Sequence, residues 1–451
     1  MASAAQLLQT YRYPFASHVD AGYGLRLATS GTQEDANESP YFFEGRLARP
    51  DELSDMLLVL SELVRSRFYI PGAMRQIDPV VTSSEAALRF EGFSSCCGVY
   101  GRADFTGEAF ESGIRSPGTT NVDFNSPMRG ALGRLRTGGE ARLAVGAEEV
   151  KLASEASGSV VEKKVKLPHR WVKGFTEVQA YLPRLRTSLE VSALEAQRFL
   201  RALPRGGAPK EASWVVPSGK SLRLSKVASR DGVKVAGTDR LRLFEPIAGR
   251  AKRMRVWSDE ETGVSAWELI FETGRMWIAL SPDISRGFSG EGQVLTQLAA
   301  GEWEGAVHRV RAELRWQSML DVEEVASRAG LTREEVGAAL AVLSARGLVG
   351  YDSAASGYFH RELPFDLSKV EQLHPRLKDA RAIVAAGALR WQERNGVAGE
   401  CFVRGTEVEH VVRLTENEDR CTCRWFSRNQ GERGPCKHIL AARIDLEGDD
   451  D

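Results

Sequence analysis

The chain has 451 residues, with 60 Lys and Arg against 61 Asp and Glu and a formal net charge of −1. That length is too great for one ordinary core and sets a prior of about three folding units, at roughly 150 residues each. It holds no run of about 18 apolar residues, which excludes a helix able to span a bilayer and points to a soluble chain with no membrane partner.

The first residues, "MASAAQLLQTYRYPF", lack the basic flank and unbroken apolar stretch of a secretory signal, so the expected location is cytoplasmic. Six cysteines in so long a chain, two of them the neighbours Cys96 and Cys97, fit a reducing compartment. In such a compartment clustered cysteines suggest metal or catalysis rather than disulfides. Charge is unevenly spread. From Glu34 to Glu111 acidic residues outnumber basic ones two to one. From Lys220 to Arg255 eleven Lys and Arg face only Asp231, Asp239 and Glu245. This asymmetry bears on partners and fields rather than on fold.

Residues 1–40 read as an N-terminal arm and linker, since "ATSGTQEDANESP" is polar, small and without period. The first ordered unit starts near Tyr41. "YFFEGRL" has strand character, and "DELSDMLLVLSELVRSRF" places Leu53, Met56, Leu57, Leu60 and Leu63 at helical spacing, with Asp51 as the expected N-cap. "AALRFEGFSSCCGVYGRADF" reads as a strand pair. The cycle recurs: "NVDF" as a strand, "SPMRGALGRL" as a short helix, then "ARLAVGAEEVKLAS" and "SVVEKKVKLP" as two more strands. A third cycle is "SLEVSA", "LEAQRFLRALP", "ASWVVPS", "KSLRLSKV" and "GVKVAG". The βαββ-type order, with "FFEGRLARPDELSDML" its most suggestive piece, resembles the building unit of sliding-clamp domains.

"RMRVWSDEETGVSAWELIFETGRMWIALSP" reads as further strands and "GQVLTQLAAGEWEGAVHRVRAELRWQ" as helical, so residues 41–300 form a mixed α+β region. Within 318–363 a helix at 322–329, the turn "GLT", a second helix and two short strands follow one another, and Thr332 with Glu335 makes a capping box. This order resembles a winged helix-turn-helix. The second helix opens "TREEV", however, and Asp321, Glu323 and Glu324 add to its negative charge, which opposes docking on duplex DNA. A structural or protein-contacting role is the favoured one. A helix "PRLKDARAIVAAGALRWQERNG" and a hairpin "GECFVRGTE"/"EHVVRLTE" follow, and residues 446–451 form an acidic tail.

The C-terminal stretch "RCTCRWFSRNQGERGPCKHILAAR" carries the strongest chemical signal. Cys421 and Cys423, two apart, leave an extended strand on the same face, and Cys436 and His438 repeat that spacing at a helix start. Twelve residues separate the pairs. Three thiolates and an imidazole are a usual structural zinc set, and so polar a segment makes an unliganded core a poor alternative. Cys401 reads as an ordinary core cysteine. The pattern CxCx(12)CxH, its preceding strands and the helix "HILAAR" resemble the SWIM zinc finger, and with "LRFEGFSSC" and "LPHRWVKGF" the chain resembles the bacterial SWIM zinc finger family.

That resemblance implies a structural Zn2+ held by Cys421, Cys423, Cys436 and His438. It also implies binding of DNA or of protein, and a possible setting beside AAA+ ATPases and von Willebrand A-type proteins. The residues themselves offer candidates for nucleic acid: Arg424, Arg428, Arg433 and Lys437 around Trp425 and Phe426, with Arg443 nearby. "EKKVKLPHRWVKGF" adds Lys163, Lys164, Lys166, Arg170 and Lys173 beside Trp171, and the 220–255 stretch alternates basic with apolar residues. Solvated charges scattered over several surfaces are the plain alternative.

Catalytic motifs fail inspection. "PSGKS" ends like a phosphate-binding loop, but Trp214 stands where the first glycine is needed. "GYGLRL" lacks a third glycine, and neither HExxH nor GxSxG occurs. The sequence thus predicts a non-catalytic zinc protein that binds nucleic acid, with a protein–protein adaptor as the alternative. An enzyme with a site assembled only by folding is a third.

Overall fold

The computed structural model describes residues 18–20, 24–26, 41–68, 79–136, 139–165, 167–205, 212–299, 304–364, 373–405 and 408–447. The expected linker 28–40, Lys166 and residues 448–451 of the expected tail lie outside them, while Leu446 and Glu447 belong to the helix Lys437–Glu447. Of the arm, the antiparallel pair His18–Asp20 and Gly24–Arg26 is described. The architecture is mixed α+β with several sheets.

The helix Pro50–Arg65 is dictated by its spacing, and Leu53, Met56, Leu57, Leu60 and Leu63 are all buried. Its start differs from expectation. Pro50 takes the first turn, where a missing N–H costs nothing, so Arg49 is the N-cap residue and makes no side-chain cap bond. Asp51 instead sits inside the first turn, accepts from Arg49 Nε at 3.3 Å and places negative charge at the positive end of the helix dipole.

The expected strands form except "NVDF", of which only Asn121 is in a strand, the end of Gly118–Asn121, and they do not stay within their own cycles. One antiparallel sheet runs Arg186–Ser192, Arg253–Ser258, Ser265–Ile270, Gly274–Leu280, Val99–Thr106, Ala87–Phe93, Val80–Ser83, Gly118–Asn121. Its seam pairs Gly274 with Phe105 through to Leu280 with Val99. A second sheet runs Gly158–Lys163, Glu149–Ser154, Ala141–Gly146, Tyr41–Leu47, Phe110–Arg115. "ARLAVGAEEVKLAS" is therefore two strands rather than one, and Tyr41–Leu47 pairs with Ala141–Gly146 across a long stretch of chain. One apolar core, including Phe90, Phe93, Trp171, Trp267 and Trp277, fills the space beneath both sheets.

A third, small sheet has the order Ser221–Ser225, Ser213–Ser218, Val233–Val235. Its inner residues Val215, Leu222, Val233 and Val235 join the same core as Phe199 and Leu200 of the helix Ala193–Ala202. "PSGKS" is the hairpin tip of this sheet. Ser218 pairs with Ser221, and Gly219 takes a left-handed φ of +63° in the two-residue turn.

Helices Glu304–Ala312, Val322–Ala329 and Arg333–Ala345 and the hairpin Val349–Asp352/Gly357–His360 share a separate core that includes Val310, Val336, Leu340 and Leu343. Thr332 caps as expected: Glu335 N donates to Thr332 Oγ1 at 3.2 Å, and Thr332 N donates to Glu335 Oε2 at 2.6 Å. The hairpin is not free. Arg102 Nη1 donates to the Tyr351 carbonyl at 3.1 Å, Arg102 pairs with Asp352 at 3.2 Å, and Arg361 pairs with Glu91 at 2.7 Å. Arg275 also contacts Asp352, and Arg89 stacks over the Phe359 ring at 4.1 Å.

In the C-terminal part the expected helix 375–396 stops early. Pro375–Ala385 is helical, Gly387 turns the chain at φ +58°, and Leu389–Asn395 becomes the edge strand of a four-stranded sheet. The expected hairpin forms as Ala398–Arg404 and Glu409–Leu414.

Candidate metal centre and basic surfaces

Cys421 ends the short strand Arg420–Cys421, Cys423 is the N-cap of the helix Arg424–Asn429, and Cys436 directly precedes the helix Lys437–Glu447, whose second residue is His438. All four are buried, and one ligand atom from each lies within 4.8 Å of the others. Cys421 Sγ stands 3.8 Å from His438 Nδ1. A tetrahedron with metal–sulfur bonds of about 2.3 Å and metal–nitrogen bonds of about 2.0–2.1 Å has edges of about 3.6–3.8 Å, so the donor set fits one ion.

Backbone amides complete the arrangement. Cys423 N donates to Cys421 Sγ, Phe426 N to Cys423 Sγ and Ile439 N to Cys436 Sγ, each at 3.4 Å. Three N–H dipoles thus favour the anionic form of the sulfurs that a cation requires. A hydrogen bond from Cys421 holds Cys423 far below the ordinary thiol range, and that same bond drives Cys421 upward. His410, which the sequence reading missed, lays its ring against His438 with centroids 4.4 Å apart. Cys401 is wholly buried with Val403 and Val412, outside the ligand cluster, as expected of a core cysteine.

The loop between the ligand pairs docks inward. Arg376, at the start of its helix, donates to the Arg433 carbonyl at 2.8 Å, the Pro435 carbonyl at 2.9 Å and the Glu291 carbonyl at 3.1 Å, and stacks over Trp425 at 4.6 Å. Arg433 donates to the Gly290 carbonyl at 2.9 Å, and Gln293 reaches the carbonyls of Gly431 and Glu432. Gly434 has φ +72°, and a Cβ there would overlap the Gly292 carbonyl oxygen. No sequence signal marked Arg376, because a lone arginine at a helix start is ordinary.

Several basic candidates are therefore structural. Arg433 is spent on docking, Lys437 pairs with Asp379 at 3.3 Å, and Arg443 is held by Asp419 and the carbonyls of Thr415 and Val397. Trp171 is fully buried against Phe93 and Phe175, so it offers no stacking face, and Arg170 is bound to Ser289 and to the Ser95 and Cys96 carbonyls. "HRWVKGFTEV" is helical, which turns that aromatic inward instead of laying it along a basic strand. Lys164 pairs with Glu148 at 3.0 Å, Lys163 is exposed, and Lys166 lies outside the described residues. Arg424 and Arg428 are exposed on the finger's short helix.

The 220–255 stretch divides. Arg240 is buried among carbonyls, Arg242 pairs with Glu245, Arg250 with Asp55, Lys252 with Glu272, and Arg253 and Arg255 with Glu190. Lys220, Arg223, Lys226, Arg230 and Lys234 are exposed on the small sheet and its loops, with no ion-pair partner among the described residues. A cavity of about 350 Å³ lies against the helix Pro50–Arg65, lined by Leu58, Phe68 and Ile247 with Asp55 and Asp239. Asp55 there is tied to Arg136 at 3.0 Å, and neither a histidine nor a thiol faces the cavity.

Among known proteins, the crystal structure of proliferating cellular nuclear antigen from Entamoeba histolytica is similar at 11% identity and a TM-score of 0.36, covering 54% of this chain and 99% of that one. A likeness of that size leaves the fold to be described from its own topology. No curated protein matches the sequence. Residues 410–444 match the family model of the SWIM zinc finger, and these residues contain the four ligands already described. The chain therefore carries a C-terminal SWIM zinc finger with a Cys3His metal site.

Proposed function

We propose that the chain is a non-catalytic zinc protein that binds nucleic acid through exposed basic residues of the small sheet and of the finger. Zinc is the ion favoured by three thiolates and one imidazole, and four protein ligands leave no open position for water or substrate. The ion is then structural. Six free thiols suit a reducing, cytoplasmic setting. The nucleic-acid reading rests on one observation. In the 220–255 stretch the buried and ion-paired arginines and lysines lie off the small sheet, whereas Lys220, Arg223, Lys226, Arg230 and Lys234 stay exposed on it. Like charges left together at a surface repel one another unless a polyanion neutralises them.

An adaptor role is favoured by the 318–363 module, read as a winged helix. Its hairpin is tied to the large sheet and its second helix opens with Glu334 and Glu335, so a protein such as an AAA+ ATPase or a von Willebrand A-type partner suits it better than a DNA groove.

Retention of single- and double-stranded DNA by the metal-loaded chain at low ionic strength separates the two. Nucleic-acid binding predicts that the logarithm of the affinity falls linearly with that of salt concentration, by about 0.9 per neutralised phosphate on duplex and about 0.7 on single strands. Absence of salt-sensitive retention of either form overturns the nucleic-acid reading and leaves the adaptor.

A further inference from the structure

We infer that the outward face of the small sheet is a single-stranded nucleic-acid site in which a base stacks on Trp214 while Arg223, Lys234 and Arg230 hold phosphates. This rests on the nucleic-acid reading above and narrows it to one strand type and one aromatic residue. The register carries the geometry. Trp214 lies on the central strand, opposite Lys234 on one side and Ser225 on the other, and Val216, two residues on, is opposite Arg223. Side chains alternate along each strand, so Trp214, Val216, Arg223, Ser225 and Lys234 share one face while Val215, Leu222, Val233 and Val235 enter the core on the other; Val216 is itself buried beside the turn at Gly232, which leaves Trp214, Arg223, Ser225 and Lys234 as the open part of the face.

Trp214 is anomalous among the described tryptophans. Trp171, Trp257, Trp267 and Trp277 lie in the core. Trp316 stacks on His360, Trp391 donates to Asp445, and Trp425 lies under Arg376. Trp214 is half-buried, yet among the described residues it has no ring, cation or hydrogen-bond partner and is absent from the core clusters. An indole kept at a surface without a partner forgoes the gain of burial, and a stacking platform restores that gain on binding.

The charges stand where a stacked base would need them. Cross-strand neighbours have Cβ atoms about 5 Å apart and diagonal neighbours about 7–8 Å, so Lys234 and Arg223 flank the indole within reach of the backbone on either side of a base. The turn bearing Arg230 is close to this face, since a Cβ at Gly232 would come within 2.7 Å of Val216 Cγ1. Asp231 and the turn holding Asp259, Glu260 and Glu261 are the acidic groups nearby, and Arg184 already pairs with Asp259 and Glu261. Duplex DNA hides its base faces, and an acidic peptide has no base to place on the indole. The pairing of free aromatic and free cations therefore favours an unpaired strand over both.

The test measures binding of a labelled thymidine 20-mer, a duplex of equal length and polyglutamate to the full metal-loaded chain, with Trp214→Ala, Trp214→Phe and Arg223→Glu alongside. The single strand should bind more tightly than the duplex. Trp214→Ala should weaken it by about five- to a hundredfold with the salt slope unchanged, as loss of one stacked base predicts. Trp214→Phe should retain most of the affinity, and Arg223→Glu should flatten the salt slope. Salt-sensitive DNA binding that is indifferent to Trp214→Ala, or that prefers duplex, overturns this site and leaves the general reading standing. Polyglutamate bound as tightly as the oligonucleotide also overturns it, and no DNA retention at all removes both.

Discussion

Glu177 is a carboxylic acid enclosed by protein, and burial pushes its pKa up to about 8 even though Gln293 N and Val294 N donate to it at 2.7 and 3.4 Å. An acid whose folded pKa exceeds its unfolded value binds more protons when folded, so it stabilises at low pH and loses that contribution as pH rises through the folded value. Burial acts oppositely on His374, lowering it to about 4, so its contribution grows as pH rises from about 4 to its ordinary value near 6.5. His374 offsets Glu177 below about pH 6.5, while burial also pushes Glu162 up to about 7 and adds a second decline that ends near there. Above that, Glu177 leaves stability falling toward pH 8, at about 1.4 kcal/mol for each unit of uncompensated shift. With zinc saturating, Glu177→Gln should flatten this decline in chemical-denaturation midpoints between pH 6.5 and 8, and an unchanged slope would assign the pH dependence elsewhere. Single residues divide sharply in how well the sequence announces them. The ligands at 421, 423, 436 and 438 were legible because coordination imposes both residue type and spacing. Arg170 and Trp171 misled because a basic-aromatic string says nothing about which face a helix turns inward, and Arg376 was silent because its partners are backbone carbonyls distant in sequence.

Elements whose apolar period matched their surroundings are legible; helix ends are legible where capping chemistry marks them, as at 322–329 and Thr332, and not beyond Ala385. "PRLKDARAIVAAGALRWQERNG" has helical propensity throughout, but Gly387 in a left-handed conformation stops the helix and pairing with Ala398–Arg404 claims the rest as strand. The hairpin Val349–Asp352/Gly357–His360 was legible as local structure, whereas its docking was not, since it depends on charges supplied by other elements. Arg89, Arg102 and Arg275 meet Asp104, Glu268 and Asp352 in one largely buried set, and Arg361 pairs with Glu91 beside it, opposite Arg102, which makes four positive against four negative. Three arginines surround Asp352 and hold its carboxyl well below the usual carboxylate range, in spite of burial that acts to raise it. Asp352→Asn keeps the shape and the acceptor for Ala354 N but leaves arginine charge buried without compensation. Breaking one partner of such a set typically costs about 3–5 kcal/mol. An unfolding free energy, from urea titration, lowered by that amount, with hydrogen exchange accelerated over 349–360, is the expected result; a value equal to wild type would mean that water already screens the set.

At the scale of the molecule, the distribution of strands among sheets was the least legible feature, because strand character is local and pairing is not. Tyr41–Leu47 resembles many strands, and nothing nearby announces that its neighbours lie at 110–115 and 141–146. The same long-range logic joins the finger to the rest. Its own core contains the three ligand cysteines with Val403, Val412 and Ile439, while Leu377, Ala380, Leu440 and Ala441 pack with Val294, Leu295 and Leu298 of the connecting segment. None of the four ligands belongs to the large core, which runs from Phe43 to Phe288 and takes in Leu363. Structural zinc contributes about 10–16 kcal/mol in small fingers, as much as the entire stability of a typical domain, so its loss should unfold the finger and spare the large core. The purified chain is expected to hold one zinc ion and Cys423→Ser none. Chelation of wild type should then add tryptic cuts after Arg424, Arg428 and Arg433, absent from the metal-loaded digest, and speed exchange at 288–295 as Arg433 and Arg376 release that segment. Cys423→Ser should give the chelated pattern without chelator. If instead the whole chain unfolds as one unit when zinc leaves, with cuts spreading through 79–136 at the same rate, the contacts of Arg376 and Arg433 couple the finger to the sheets more strongly than their count of hydrogen bonds accounts for.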